Sequence, residues 1–147
     1  MMKFSEISRA SWPELQPYLD TCIIPFTGLS GLESPVEVTD SLEKLRDFLD
    51  IVETRYQGRI VTYPAFHYGK QEDYMFLNEI CHNVKKSGFK YVIIMTTVSI
   101  EASCEHCDLI LSQQHMEKLH KGAENMLSSI IQEEIESLWG FNTIHQM

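Results

Sequence analysis

Tyr91-Val92-Ile93-Ile94-Met95-Thr96-Thr97-Val98 is the stretch that decides the fold. Apolar and β-branched residues run through it without the alternation of a strand that keeps one face wet. A strand of this kind is covered on both faces, in the middle of a sheet between two layers of helix. Upstream, Phe76, Leu77, Ile80, Cys81 and Val84 recur at helical spacing, which predicts a helix from Asp73, as cap, to about Ser87, stopped by Gly88. Before it lies a second strand, Arg59–Tyr63, ended by Pro64, with a loop over 65–72.

Further upstream, Leu42, Leu45, Phe48, Leu49 and Val52 mark a helix. Asp40 and Glu43 read as its capping pair and Gly58 as its C-terminal glycine. Thr21–Phe26 is a short buried strand, separated from that helix by a loop over 27–39 that holds Gly28, Gly31 and Pro35. Residues 4–19 predict a short helical turn, with Ser11 and Glu14 as a capping box, that packs Trp12 onto the body. Downstream, Cys107–Leu111 is a fourth, shorter strand. A last helix follows from about Gln113 to Leu138, with Met116, Leu119, Ala123, Leu127, Ile130 or Ile131, Ile135 and Leu138 on its apolar stripe, and Trp139 on a helical apolar face. The order β-α-β-α-β-β-α predicts a three-layer α/β sandwich around a mostly parallel four-stranded sheet. The short connection between the third and fourth strands leaves the orientation of the fourth open.

A chain of 147 residues suits one domain, 1–147, and is long enough to bury a core without a disulfide or metal staple. Its net charge of −9 repels phosphate backbones, which argues against nucleic-acid and anionic-membrane partners and for ordinary solubility. No signal-peptide pattern opens the sequence and no apolar run approaches membrane-span length, so a cytoplasmic protein without membrane insertion is expected. Its cysteines, Cys22, Cys81, Cys104 and Cys107, are then expected to be reduced.

In open α/β sheets, ligands bind beyond the carboxyl ends of the strands. Loops 27–39, 64–72 and 99–106 lead from those ends. Their candidate residues are Glu33, Glu37, Asp40, His67, Tyr68, Glu72, Asp73, Glu101, Cys104 and His106. Carboxylates with a histidine are the donor set of a divalent metal, and Asp40, His67 and Glu72 would be its ligands. The competing reading makes them solvated loop residues and helix caps, with no cofactor expected; zinc or manganese is the alternative. Cys104 and Cys107 form a Cys-x-x-Cys pair, the spacing of a redox couple or half a zinc site. The pair precedes a strand rather than opening a helix, which favours simple packing. Phosphate loops, nucleophile elbows and His-Glu-x-x-His helices are absent from the sequence.

Tyr18–Pro25, then Gly58-Arg59-Ile60 and Pro64-Ala65-Phe66, resemble the YpiF-like family of bacilli, a domain of unknown function of similar length. A fainter resemblance is to the creatininase family of metal-dependent amidohydrolases. It is carried by Ile24-Pro25, Thr39-Asp40, Pro64, Tyr68-Gly69 with Glu72, and Ser87-Gly88-Phe89 before the long apolar strand. Of that family's metal ligands only Asp40 has a direct match here. No histidine occurs before Tyr63, Asp73 or Tyr74 stands at a histidine position, and Thr96-Thr97-Val98-Ser99 replaces a histidine-bearing glycine-rich stretch. The resemblance implies a creatininase-like scaffold whose metal centre is largely dismantled; a flavodoxin-like form of the three-layer sandwich is the other fold expected. The expectation is a non-catalytic binding or regulatory protein with an unknown protein or small-molecule partner, a homo-oligomer being open. The alternatives are an amidohydrolase with rearranged ligands and a thiol switch at Cys104 and Cys107.

Overall fold

A computed structural model of the chain describes residues 2–69, 75–100, 105–119 and 126–140. The long apolar stretch forms β5 (Tyr91–Thr96), and it lies inside the sheet. Its neighbours are β2 (Thr21–Leu29) and β6 (Leu109–Ser112). On the far side of β2 come β3 (Ile60–Thr62) and then the two-residue β1 (Met2–Lys3). The order is β1-β3-β2-β5-β6, and every pairing is parallel. Counting only the four longer strands of this path, β2, β3, β5 and β6, the order is 2-1-3-4, that of flavodoxin-like doubly wound sheets.

The helices divide between the two faces. On one, α2 (Pro35–Glu53), α4 (Gln113–Leu119) and α5 (Leu127–Leu138) bury Phe48, Val52, Met116, Ile131 and Ile135 against Ile23, Ile93 and Met95. On the other, α3 (Met75–Lys86) buries Leu77, Cys81 and Val84 against Cys22, Ile24 and Ile94. Trp12, in the one-turn α1 (Trp12–Leu15), packs on that second face with its ring 6.1 Å from Phe89. Alternate residues of β2 and β5 thus feed two separate cores, as the period of a strand requires. The three-layer α/β sandwich expected from the sequence is the architecture observed.

Pro25 sits inside the central strand β2, where a missing N–H would normally break a ladder. Thr21 N donates to Arg59 O and Ile23 O accepts from Tyr63 N, so this alternating set of residues faces β3. Pro25 is next in the set, and it falls where β3 has ended at Thr62 and β4 (Phe66–Tyr68) has not yet begun. Pro64 interrupts the neighbouring strand at the same level, so both prolines share one gap in the pairing.

Several expected boundaries move. The helix expected from Asp40 starts earlier, because Ser34-Pro35-Val36-Glu37 is itself a capping box: Ser34 Oγ accepts from Glu37 N and Glu37 Oε1 accepts from Ser34 N. Asp40 is therefore an exposed residue inside α2, not its cap. That helix ends at Glu53 with Thr54 as its C-cap, so Gly58 lies in the following turn rather than capping it. The loop expected over 65–72 contains β4, and Asp73 lies outside the described residues. Ser11 does not cap α1; its hydroxyl turns back to Ser8. The expected helix 113–138 is described as α4 and α5, the second with its own start at Met126. The fourth strand is parallel: counted from strand end to strand start, residues 97–108 supply the dozen positions a parallel crossover needs.

Candidate functional site

The chain order of the sheet reverses at β2 and β5. From β2 the path runs through α2 to β3 on one side, then through α3 back to β5 on the other. Such a reversal opens a crevice at the carboxyl ends of the two strands. Here those ends are Thr27-Gly28-Leu29 and Thr97-Val98-Ser99. Gly28 has φ +78°, and a Cβ built on it would stand 3.1 Å from Val98 Cγ2, so only glycine lets the two ends approach.

The end of β5 is held by hydrogen bonds from β6 and α4. Ser112 Oγ donates to Val98 O at 2.7 Å and accepts from His115 N, which makes Ser112 the cap of α4. Ser99 N donates to Gln114 Oε1 at 3.0 Å, and Gln114 N donates to Thr97 O. Between this turn and α2 lies a cavity of about 410 Å³. Ser41 and Lys44 of α2, Thr97, and Gln113, Gln114 and Glu117 of α4 line it. Among the described residues its lining adds the apolar Val98 to hydroxyls, amides, one ammonium and one carboxylate, with neither a histidine nor a thiol. These side chains can bind and orient a small polar molecule.

Of the residues singled out from the sequence, Glu33, Asp40, His67 and Tyr68 are described around this end of the sheet, and they form no three-member donor group. Glu33 folds its carboxylate back onto its own loop, accepting from Ser30 N, Gly31 N and Ser30 Oγ. Those N–H donors, the Ser30 amide first, hold its pKa down at about 2. Asp40 is exposed on α2, and Tyr68 is exposed at the end of β4 beside Leu29. His67 is exposed, with Nδ1 2.9 Å from the buried Thr27 Oγ1. Glu72, Asp73, Glu101 and Cys104 lie outside the described residues. Among the described residues, no group of three or more His, Cys, Asp or Glu is arranged to hold a metal ion.

At the opposite, amino end of β6, the Cys107 thiol donates to Leu109 O at 2.9 Å, and its side chain packs on the α3 face of the sheet. His106 N donates to Asn78 Oδ1, and the His106 ring lies 4.4 Å from that of His82. Desolvation first, then the neighbouring His106 and Lys86, push the His82 pKa down. Cys22 is a core residue whose thiol pKa burial pushes up, away from nucleophilic use.

The cavity residues Ser41, Lys44, Gln113 and Glu117 were not legible as a site. Gln113 and Gln114 follow an apolar strand directly, so the carboxyl-end rule applied to the fourth strand as well as the first three would have found them. Lys44 and Ser41 carried no such signal, because a polar residue on an amphipathic helix reads as a solvated face.

Among the described residues, no helix is long and apolar enough to cross a membrane. No curated protein and no solved structure matches the chain. One family does match, over residues 11–141, and on that match the chain belongs to the family described as protein of unknown function (DUF2487).

Proposed function

We propose that this is a non-catalytic binding or regulatory protein of the cytoplasm, built on a creatininase-like scaffold that has lost its metal centre, with a small polar ligand held in the cavity between α2 and α4. The observation that carries the reading is the cavity's position and lining. It lies at the carboxyl end of β5, beside the reversal of strand order, and presents Lys44, Glu117, Gln113 and the Ser41 and Thr97 side chains. An ammonium and a carboxylate with neutral donors between them suit a zwitterion of amino-acid size. The turn that bears a histidine in the creatininase family is here Thr96-Thr97-Val98-Ser99, hydroxyl-rich and pinned by Ser112 and Gln114. Asp40, the one direct match to that family's ligands, is exposed on α2 and belongs to no three-residue donor group among the described residues.

One observation favours the rival, a metal-dependent amidohydrolase with ligands drawn from Asp40, His67, Glu72, Asp73 and Glu101. Thr27 fixes one ring nitrogen of His67, as the outer partner of a metal-bound histidine does. In that reading a metal would polarise an amide carbonyl and activate a water.

Elemental analysis of the untagged full-length protein separates the two. The binding reading expects far less than one metal per chain. One tightly held zinc or manganese per chain, lost in a His67→Ala variant, would replace it with the hydrolase. Isothermal titration with free amino acids then tests the cavity: a bound amino acid should be lost on Lys44→Gln and on Glu117→Gln, and binding indifferent to both removes the site.

A further inference from the structure

A second cavity, of about 420 Å³, opens on the other face of the sheet, between the N-terminal segment and β3. Its walls include Ile7, Trp12, Val61, Tyr63 and Phe89, and among the described residues Arg9 is the one charged residue of its lining. The aromatic walls are braced by one another. The Tyr63 and Phe89 rings meet edge-on at 5.4 Å, and Trp12 leans on Phe89 at 6.1 Å.

The turn that carries Arg9 and Trp12 is fixed. Ser8 N donates to Ser11 Oγ, Ser11 N donates to Ser8 Oγ, and the two hydroxyls are 2.9 Å apart. Trp12 N closes the turn by donating to Ser8 O. Arg9 is exposed and makes no ion pair among the described residues. A planar guanidinium at an otherwise uncharged, ring-lined hollow is built to face an anion that is itself planar and attached to an apolar body. The volume falls in the range of small-ligand pockets, and a mostly apolar lining with a few polar groups, here Arg9 and Ser8 among them, is their usual make-up.

We infer that this cavity binds a small aromatic carboxylate, with the ring against the wall of Trp12, Tyr63 and Phe89 and the carboxylate on Arg9. The site is separate from the polar cavity between α2 and α4 and does not depend on the reading of that one.

The probes are 2-naphthoate and its neutral counterpart 2-naphthalenemethanol, titrated into the full-length protein. Binding is followed by calorimetry and by the indole and amide resonances of residues 7–12, 61–63 and 89. The acid should bind more tightly than the alcohol, with shifts centred on Trp12 and Phe89. Arg9→Gln, at an exposed position that leaves the fold intact, should weaken the acid about tenfold and leave the alcohol unchanged. Ile7→Trp, which fills the hollow, should remove both, while Lys44→Gln should affect neither. Equal affinity for acid and alcohol, indifference to Arg9→Gln, shifts scattered over the surface, or no saturable binding each overturns the inference.

Discussion

Trp139 Nε1 donates to Thr21 Oγ1 at 2.9 Å, joining the end of the last helix to the first residue of the central strand. The pair is buried, and Arg59 stacks on the same indole with Cζ 4.0 Å from the ring while its Nε donates to Asp20 Oδ1. Tyr56 meets the indole edge-on at 5.0 Å. Three segments distant in sequence, Asp20-Thr21, Tyr56 with Arg59, and Trp139, therefore converge on the amino end of β2. Trp139→Phe keeps most of the packing and removes the donor, so it should cost about 1–2 kcal/mol. Trp139→Ala adds a cavity and should cost about 3–5 kcal/mol. Urea unfolding monitored by circular dichroism measures both; an unchanged midpoint for Trp139→Phe would show the hydrogen bond to be idle.

Asp108 is a second clamp. Its two oxygens accept from Lys85 Nζ and Val92 N, each at 2.8 Å, tying α3 to the start of β5 and β6. The two bonds differ in kind: the lysine is part-exposed and replaceable by water, the backbone N–H much less so. Asp108→Ala should cost about 2 kcal/mol, and Lys85→Met no more than about 0.5 kcal/mol. Equal losses in the two variants would mean that the ion pair, not the backbone bond, does the holding.

The Glu33 carboxylate titrates at about 2, against an ordinary value of 4.5, because the Ser30 and Gly31 N–H groups point at it. A lowered carboxyl pKa means the folded loop favours the ionised form. Its contribution is complete above pH 4.5 and is lost as pH falls toward 2. The amide resonances of Ser30 and Gly31 should move across that interval in the native protein and stay still in Glu33→Gln. A midpoint near 4.5 in the folded protein would show that the Ser30 and Gly31 N–H groups do not hold the carboxylate.

Gly28 and Gly31 both have positive φ, at +78° and +95°, but only Gly28 has a neighbour within 4 Å of a built Cβ. Gly31→Ala should therefore cost only the backbone term, about 1 kcal/mol. Gly28→Ala adds the collision with Val98 and should cost more, about 2–3 kcal/mol. Thermal unfolding of the two variants side by side tests the order; a reversal would mean that the ends of β2 and β5 yield easily.

How much of this could be read beforehand depends on the range of the interaction concerned. The β5 run and the apolar stripes of α2 and α3 are periodic signals, and they gave the elements, the two-sided burial and the layer architecture. The start of α2 is ambiguous in the sequence because two boxes of the same type, Ser34–Glu37 and Asp40–Glu43, follow each other, and the first one, with a proline at its first turn, takes the cap. β4 was missed because three residues, Phe66–Tyr68, carry no period; they become a strand only because β2 continues beyond Pro25 and offers them an edge. Around the sheet end, the carboxyl-end rule found the rim. It did not find the cavity, whose lining comes from helices separated by some seventy residues in sequence.

The sequence alone determined a sheet buried on both faces and layered between helices, because hydrophobic spacing is a local property that any tertiary arrangement must respect. The tertiary structure decided the rest: the parallel direction of β6, the pinning of Val98 by Ser112, and the placing of Lys44 in one cavity lining with Gln113 and Glu117. Those are facts about distance between remote parts of the chain, and side-chain chemistry becomes a site only when such distances close.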